Sequence, residues 1–268
     1  MQRVEYRRLP ACLFLIALVG CFFVAWNAPA DARPRTIVSL EFDDAYADQF
    51  NVRDELASHG IAATFFLNSS LIGTPGYMSV SQLLQLQGDG HEMAGHSRHH
   101  YNLPDLSASM QLDEICGDRT LLNSWDLAAH DFAYPNGSLS PVTQAIVSSC
   151  GYNSGRTVGG LTPPALCGPN CRPAETLPPG DLMATITVPT SAPAGGLKTL
   201  QRYLLDARRI RHGWVQYVFH HVCDGCNRVA VRPAVFRAFL DWLKSPRIGP
   251  RIKLLRIDAL TGLPGPGR

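Results

Sequence analysis

Two adjacent carboxylates, Asp43 and Asp44, close an apolar run from Thr36 to Phe42, and a His-Ser-Arg-His-His cluster follows at 96–100. His96 and His100 stand four apart. Two imidazoles and one carboxylate make a three-ligand set that suits a catalytic divalent metal with a further position open. The second carboxylate of the pair then stays free to act as a base. A third element, His220-His221, ends another apolar run and offers an imidazole as a proton donor. Alone, the Asp pair reads as a strand-end turn or helix cap, and each histidine as a loop residue. Their joint occurrence at the ends of strand-like runs points instead to metal-assisted hydrolysis.

Those runs belong to an alternating pattern. Strand-like segments fall near 36–42, 62–67, 92–96, 130–134, 185–188, 214–220 and 252–257. Helical periodicity lies between them, near 46–59, 79–88, 106–124, 139–149, 196–212 and 231–244. Leu200, Tyr203, Leu204 and Ala207, for example, share one helical face, and Pro233 suits a first helical turn. Alternation of this kind predicts an α/β fold with a mostly parallel sheet or barrel. In such a barrel the chemistry sits at the C-terminal ends of the strands, where Asp43-Asp44, His96, Tyr134-Pro135 and His220 all fall. Residues 155–184, rich in Gly and Pro, read as a long surface excursion at the mouth.

The first 30 residues have the three-part pattern of a secretory signal peptide: Arg3, Arg7 and Arg8, the apolar run Ala11 to Trp26, then Ala28-Pro29-Ala30. Export is therefore expected, to the periplasm, cell envelope or medium. Membrane attachment would require an uncleaved anchor or lipidation at Cys21. A catalytic domain is expected over 35–260 and a flexible tail over 261–268. Removing residues 1–30 takes away three arginines and Glu5 and leaves a formally neutral chain without a basic run. That composition argues against nucleic acid as a partner. Six cysteines remain. Local pairing gives Cys167–Cys171 and Cys223–Cys226 and leaves Cys116–Cys150; a zinc site built on Cys223-Asp-Gly-Cys226 is the alternative.

Phe42-Asp43-Asp44, His96-Ser97-x-x-His100, Ala133-Tyr134-Pro135 and Val218-Phe219-His220 resemble, in order, the motifs of the NodB-type polysaccharide deacetylases (carbohydrate esterase family 4). The resemblance runs from about Arg35 to Leu260. It implies a distorted, incomplete (β/α) barrel, as a single catalytic domain that removes acetyl groups from an N- or O-acetylated glycan. An N-acetylglucosamine-containing polymer leads as substrate. By position it makes Asp43 the general base, Asp44, His96 and His100 the ligands of Zn²⁺ or a similar ion such as Co²⁺, and His220 the acid. His221 satisfies the same spacing and stays as the alternative acid. The backbone N–H of Tyr134, next to Pro135, is implied at the oxyanion, and Val218 in an acetyl-sized apolar pocket.

Two departures stand out. No Arg precedes Tyr134-Pro135, where the family usually places one against the base. The Asp that pairs with the acid histidine is not recognisable in 155–190, where Asp181 is the candidate. Two other functions keep the same fold: hydrolysis of a small amide or cyclic imide, and glycan binding on a catalytically decayed site.

Overall fold

The computed structural model describes residues 35–163 and 171–261. The expected signal peptide, the Cys167–Cys171 pairing and tail residues 262–268 lie outside the described residues. The strands, in chain order, are β1 (Thr36–Phe42), β2 (Thr64–Leu67), β3 (Glu92–Gly95), β4 (Asp131–Ala133), β5 (Ser154–Gly160), β6 (Glu175–Thr176), β7 (Thr185–Thr187), β8 (Gly213–Phe219) and β9 (Ile252–Leu254). Between and after them lie the helices α1 (Arg53–Ser58), α2 (Val80–Gly88), α3 (Ala108–Ser124), α4 (Pro141–Ser149), α5 (Leu197–Ala207), α6 (Pro233–Lys244) and the single turn α7 (Asp258–Thr261).

Along the sheet the order is β6-β8-β1-β2-β3-β4-β5-β7, with β9 beside the start of β1. Every pairing is parallel except β6 on β8. The far strand then comes round to β8. Gln216 donates its side-chain amide to the Ile186 carbonyl at 2.9 Å, and its own carbonyl accepts the Val188 N–H at 2.9 Å. The result is a nearly closed (β/α) barrel, the expected fold class.

Strand side chains alternate between the two faces of the wall. On the outer face, Val38, Leu40 and Phe42 of β1 join the large core under the helices. Phe42 stacks on Phe65 at 4.8 Å and Phe219 at 5.5 Å, and meets the edge of Phe236 from α6 at 5.9 Å. This locks the end of β1, the point from which Asp43 and Asp44 emerge. On the inner face, a small plug of Phe66, Ala94, Ala133, Trp214 and Ile257 fills the barrel.

The expected excursion over 155–184 is partly barrel wall. β5 and β6 both fall within reach of it, and β5 pairs with β4 and β7. Apolar periodicity misses β5 because Gly155, Arg156, Gly159 and Gly160 break the pattern. Gly155 is required by packing, since a Cβ there would lie 2.6 Å from the Tyr134 hydroxyl. Cys116–Cys150 and Cys223–Cys226 are disulfide-bonded, as local pairing expects. The second pair is thus not available as zinc thiolates. Thr261, expected as the first tail residue, is held to the body by hydrogen bonds to both Asp131 oxygens at 2.8 and 3.0 Å.

Candidate active site

Asp43 keeps to the inner face, its N–H donating to the Phe219 carbonyl at 2.9 Å. The chain then turns sharply, with Asp44 at φ 75° and Ala45 at φ 60°. Left-handed backbone at non-glycine residues costs on the order of 1–3 kcal/mol each, and here it swings Asp44 beside the histidines. Asp44 Oδ1 lies 3.5 Å from His96 Nε2 and 3.4 Å from His100 Nε2. His100 is also left-handed, at φ 60°, and its N–H donates to Ser97 Oγ at 3.0 Å. A tight loop after β3 therefore presents both imidazoles to one point.

The donors suit a divalent transition metal. His96 Nδ1–H donates to the Ala133 carbonyl at 2.7 Å, which leaves Nε2 as the lone-pair nitrogen toward Asp44. Burial lowers His96 to about 3 and lowers His100 too, so both rings are neutral, the ligating form. The three ligand atoms lie within 4.8 Å of one another. Burial and then the Asp43 charge push the Asp44 carboxyl up to about 6, and a cation bound beside it would favour the ligating anion.

Asp43 is held differently. Arg156 of β5 reaches across the barrel, bonds Asp43 Oδ1 and, through Nε, bonds Glu41 Oε2 at 2.9 Å. All three side chains are buried, and the guanidinium carbon sits 4.5 Å over the Phe66 ring. Burial alone would raise Asp43, but Arg156, His96 and His220 outweigh it and hold the carboxyl below its usual range. Burial pushes Glu41 up to about 8, with Arg156 offsetting only part. One guanidinium between two buried carboxyls thus favours the anion at Asp43 and the acid at Glu41. Sequence reading missed both Arg156 and Glu41. The available signal was a charged residue two before Asp43, on the same strand face, and a lone Arg flanked by Gly155 and Thr157.

The two histidines after β8 part company. His220 lines the same cavity as Asp43, Asp44, His96 and His100, with Nε2 3.8 Å from Asp43 Oδ2. His221 turns away, bonding Asp48 Oδ1 through Nδ1 at 3.0 Å and stacking on Tyr46 at 4.0 Å. Gln49, also unread in the sequence, ties the two strand ends together. Its side-chain amide donates to the Asp43 carbonyl at 2.5 Å and the His220 carbonyl at 2.7 Å. Asp181 does not reach His220; it is exposed and bonds the Met183 N–H and the Gln144 amide. His220 Nδ1 is buried with no hydrogen-bond partner among the described residues.

The cavity measures about 350 Å³. Tyr134 lines it, but its backbone N–H donates to the Arg156 carbonyl at 3.0 Å in the β4–β5 ladder, and its hydroxyl donates to the Met183 carbonyl at 2.9 Å. That N–H is therefore not free for an oxyanion, a correction to the motif-based expectation. Asn136, two residues on and left-handed at φ 59°, also lines the cavity, and its N–H takes no backbone acceptor among the described residues. Pro135 and Val218 are buried and do not form the cavity wall. Its apolar wall comes from Val158 and Val229.

A family model for polysaccharide deacetylase matches residues 30–155, so the resemblance read from the motifs holds over the stretch that carries the first three. Arg156 and His220 lie beyond it. Comparison with curated proteins finds no match. Among solved structures, the chain is similar to the Bc1960 peptidoglycan N-acetylglucosamine deacetylase, with 15% identity, 86% of this chain and 90% of that one covered, and a TM-score of 0.59. It is also similar to the peptidoglycan deacetylase PdaC from Bacillus subtilis, with 14% identity, 84% and 90% coverage, and a TM-score of 0.54. A third similar structure is BA3943, a CE4 family pseudoenzyme from Bacillus anthracis, with 16% identity, 85% and 66% coverage, and a TM-score of 0.55. At these identities the likenesses establish the fold.

Proposed function

We propose that this chain, related to the polysaccharide deacetylases over residues 30–155, is an exported metal-dependent hydrolase that removes acetyl groups from a glycan, an N-acetylglucosamine-containing polymer foremost. One observation carries the reading. A carboxylate kept ionised by Arg156 stands in one cavity with a two-histidine, one-carboxylate ligand set and a third imidazole.

Asp44, His96 and His100 would hold the metal, Zn²⁺ or Co²⁺, which when bound supplies Lewis acidity to polarise the acetyl carbonyl and acidify a water. Asp43 accepts the water's proton through Oδ2, the oxygen not committed to Arg156. The Asn136 N–H is the backbone donor available to the developing oxyanion. His220 gives a proton to the departing sugar nitrogen or oxygen, and Val158 and Val229 receive the methyl group. His221, engaged with Asp48, is set aside as the acid.

The absence of an Arg before Tyr134-Pro135 and of a recognisable partner Asp for the acid histidine speaks for a decayed binding fold. Arg156 supplies that cation from another strand, which weakens the alternative. The test is acetate release by the purified chain from chito-oligosaccharides, peptidoglycan and acetylated xylan, before and after chelation and with Zn²⁺ restored. Release that chelation stops and Zn²⁺ restores supports the reading. No release by protein holding stoichiometric metal overturns it, in favour of a binding protein or a small-amide hydrolase.

A further inference from the structure

We infer that Arg228 is a specificity residue that selects an anionic glycan, one carrying a carboxylate on or next to the acetylated sugar. The inference rests on the deacetylase reading above and narrows its substrate class.

The loop after β8 is built to hold its shape. The Val231 N–H donates to the His221 carbonyl at 2.9 Å and the Cys223 N–H to the Val231 carbonyl at 3.0 Å. Between them the Cys223–Cys226 disulfide closes the chain on itself. Asp48 accepts the Val222 N–H at 2.7 Å and fixes the loop's entry. Within this frame Asn227 to Ala230 form a turn, with the Ala230 N–H on the Asn227 carbonyl at 3.2 Å and the Val229 N–H on Asn227 Oδ1 at 3.0 Å. Arg228 is the second residue of that turn. Its side chain lines the cavity that holds Asp43, Asp44 and His220. Loops at this end of a barrel set substrate choice, and this one offers a charge on a fixed base.

The charge has no ionic partner among the described residues. The cavity's carboxylates face Arg156 and the histidines, and Arg228 forms no ion pair among the described residues. Arg228 is exposed while lining the cavity, so its guanidinium is open to a ligand that enters from solvent. A neutral acetylated sugar brings it no opposite charge. A carboxylate does, and it matches the planar guanidinium fork with two charge-assisted hydrogen bonds.

The experiment measures kcat/KM for acetate release by the Zn²⁺-loaded chain on three N-acetylated substrates of equal length. Two carry carboxylates: peptide-free peptidoglycan strands, on a lactyl ether, and an alternating N-acetylglucosamine–uronic acid oligomer, on the neighbouring sugar. The third is a neutral chito-oligosaccharide. At least one carboxylated glycan is expected to exceed the neutral one by about tenfold to a hundredfold, and which one names the source of the charge. Arg228→Gln should bring that ratio toward one through KM, Arg228→Lys should keep part of it, and added salt should lower it in the wild type alone. A wild type that treats neutral and acidic oligomers alike overturns the inference. So does an Arg228→Gln that lowers all three equally, which would assign the guanidinium to the acetyl group or the fold. Acetate from the neutral oligomer alone leaves the deacetylase reading standing while this one falls; acetate from none overturns both.

Discussion

The two ends of the barrel interior bury the same functional group and treat it in opposite ways. At the upper end Asp43 is buried against Arg156, kept as an anion, and opens onto a cavity. At the lower end Glu92 of β3 and Asp131 of β4 are buried too, but neither pairs with a basic side chain among the described residues. Glu92 Oε2 accepts from Thr64 Oγ1 at 2.7 Å and the Asp258 N–H at 3.0 Å, while Asp131 Oδ1 accepts from Ser154 Oγ at 2.6 Å and Thr261 Oγ1 at 2.8 Å. Burial raises both carboxyls, and for Glu92 the neighbouring Asp131 and Asp258 add to it. Burial thus favours the protonated form of these carboxyls, which close the barrel beneath α7. Burial of a carboxylate does not make a base. A cation that keeps it charged, and an opening that lets a substrate reach it, do.

The widest separation between the two ends should appear on substitution of the acids by their amides. Asp43→Asn keeps shape and metal but removes the proton acceptor, and kcat should fall by about a hundredfold to ten-thousandfold. Metal content, measured by elemental analysis, should stay near that of the wild type. His96→Ala should lose metal and turnover together. Glu92→Gln at the lower end should leave kcat within about twofold of the wild type, since nothing there faces the cavity. An Asp43→Asn protein with near-normal turnover would break the comparison at its upper end.

Much of the upper end was legible in the sequence because its residues follow apolar strands in fixed local spacings. Asp43-Asp44 and His96…His100 each lie within one short stretch, so five consecutive positions at most suffice to see them. The cation at the base was not legible, because Arg156 meets Asp43 across the barrel from a strand whose glycines hide its period. The oxyanion donor was misplaced for a local reason. The spacing of Tyr134-Pro135 fits the motif, yet the sheet ladder takes up the Tyr134 N–H, and only the left-handed turn at Asn136 leaves one open. The lower end gave no sign at all. Glu92, Asp131 and Thr261 are single polar residues in three distant segments, and only closure of the barrel brings them together.

A smaller effect is expected from the group that sets the upper end apart. Arg156→Met removes the guanidinium and leaves Asp43 and Glu41 facing each other in a buried space. Asp43 then loses the partner that opposes its burial, so the acid limb of kcat/KM should move to higher pH. Activity at neutral pH should drop by about tenfold to a hundredfold. Glu41→Leu, which removes only the anchor of the Arg156 Nε, should cost less turnover than Arg156→Met. The two together should cost less than the sum of their separate losses in free energy, because both act on Asp43 by one route. Strict additivity would mean that Glu41 does not position Asp43 through Arg156.

The smallest effect, and the sharpest test of the lower end, concerns stability. Glu92 has a folded pKa raised well above its ordinary value of 4.5. Above that pH the unfolded chain releases a proton that the folded chain keeps. The stabilisation from this group is therefore full below about pH 4.5 and is lost as pH rises through the folded pKa. Glu92→Gln keeps an oxygen acceptor for Thr64 and an N–H donor for Asp131, but cannot ionise. Its melting temperature should fall less steeply than the wild type's as pH is raised from about 5 to 8, by the equivalent of about 1 kcal/mol over that range. The slope should not vanish, because burial also raises Asp118 to about 7 and Glu41 to about 8. Equal slopes in the two proteins would mean that Glu92 is ionised in the fold. The lower end would then hold an unpaired buried anion, and the contrast with Asp43 would rest on access to the cavity alone.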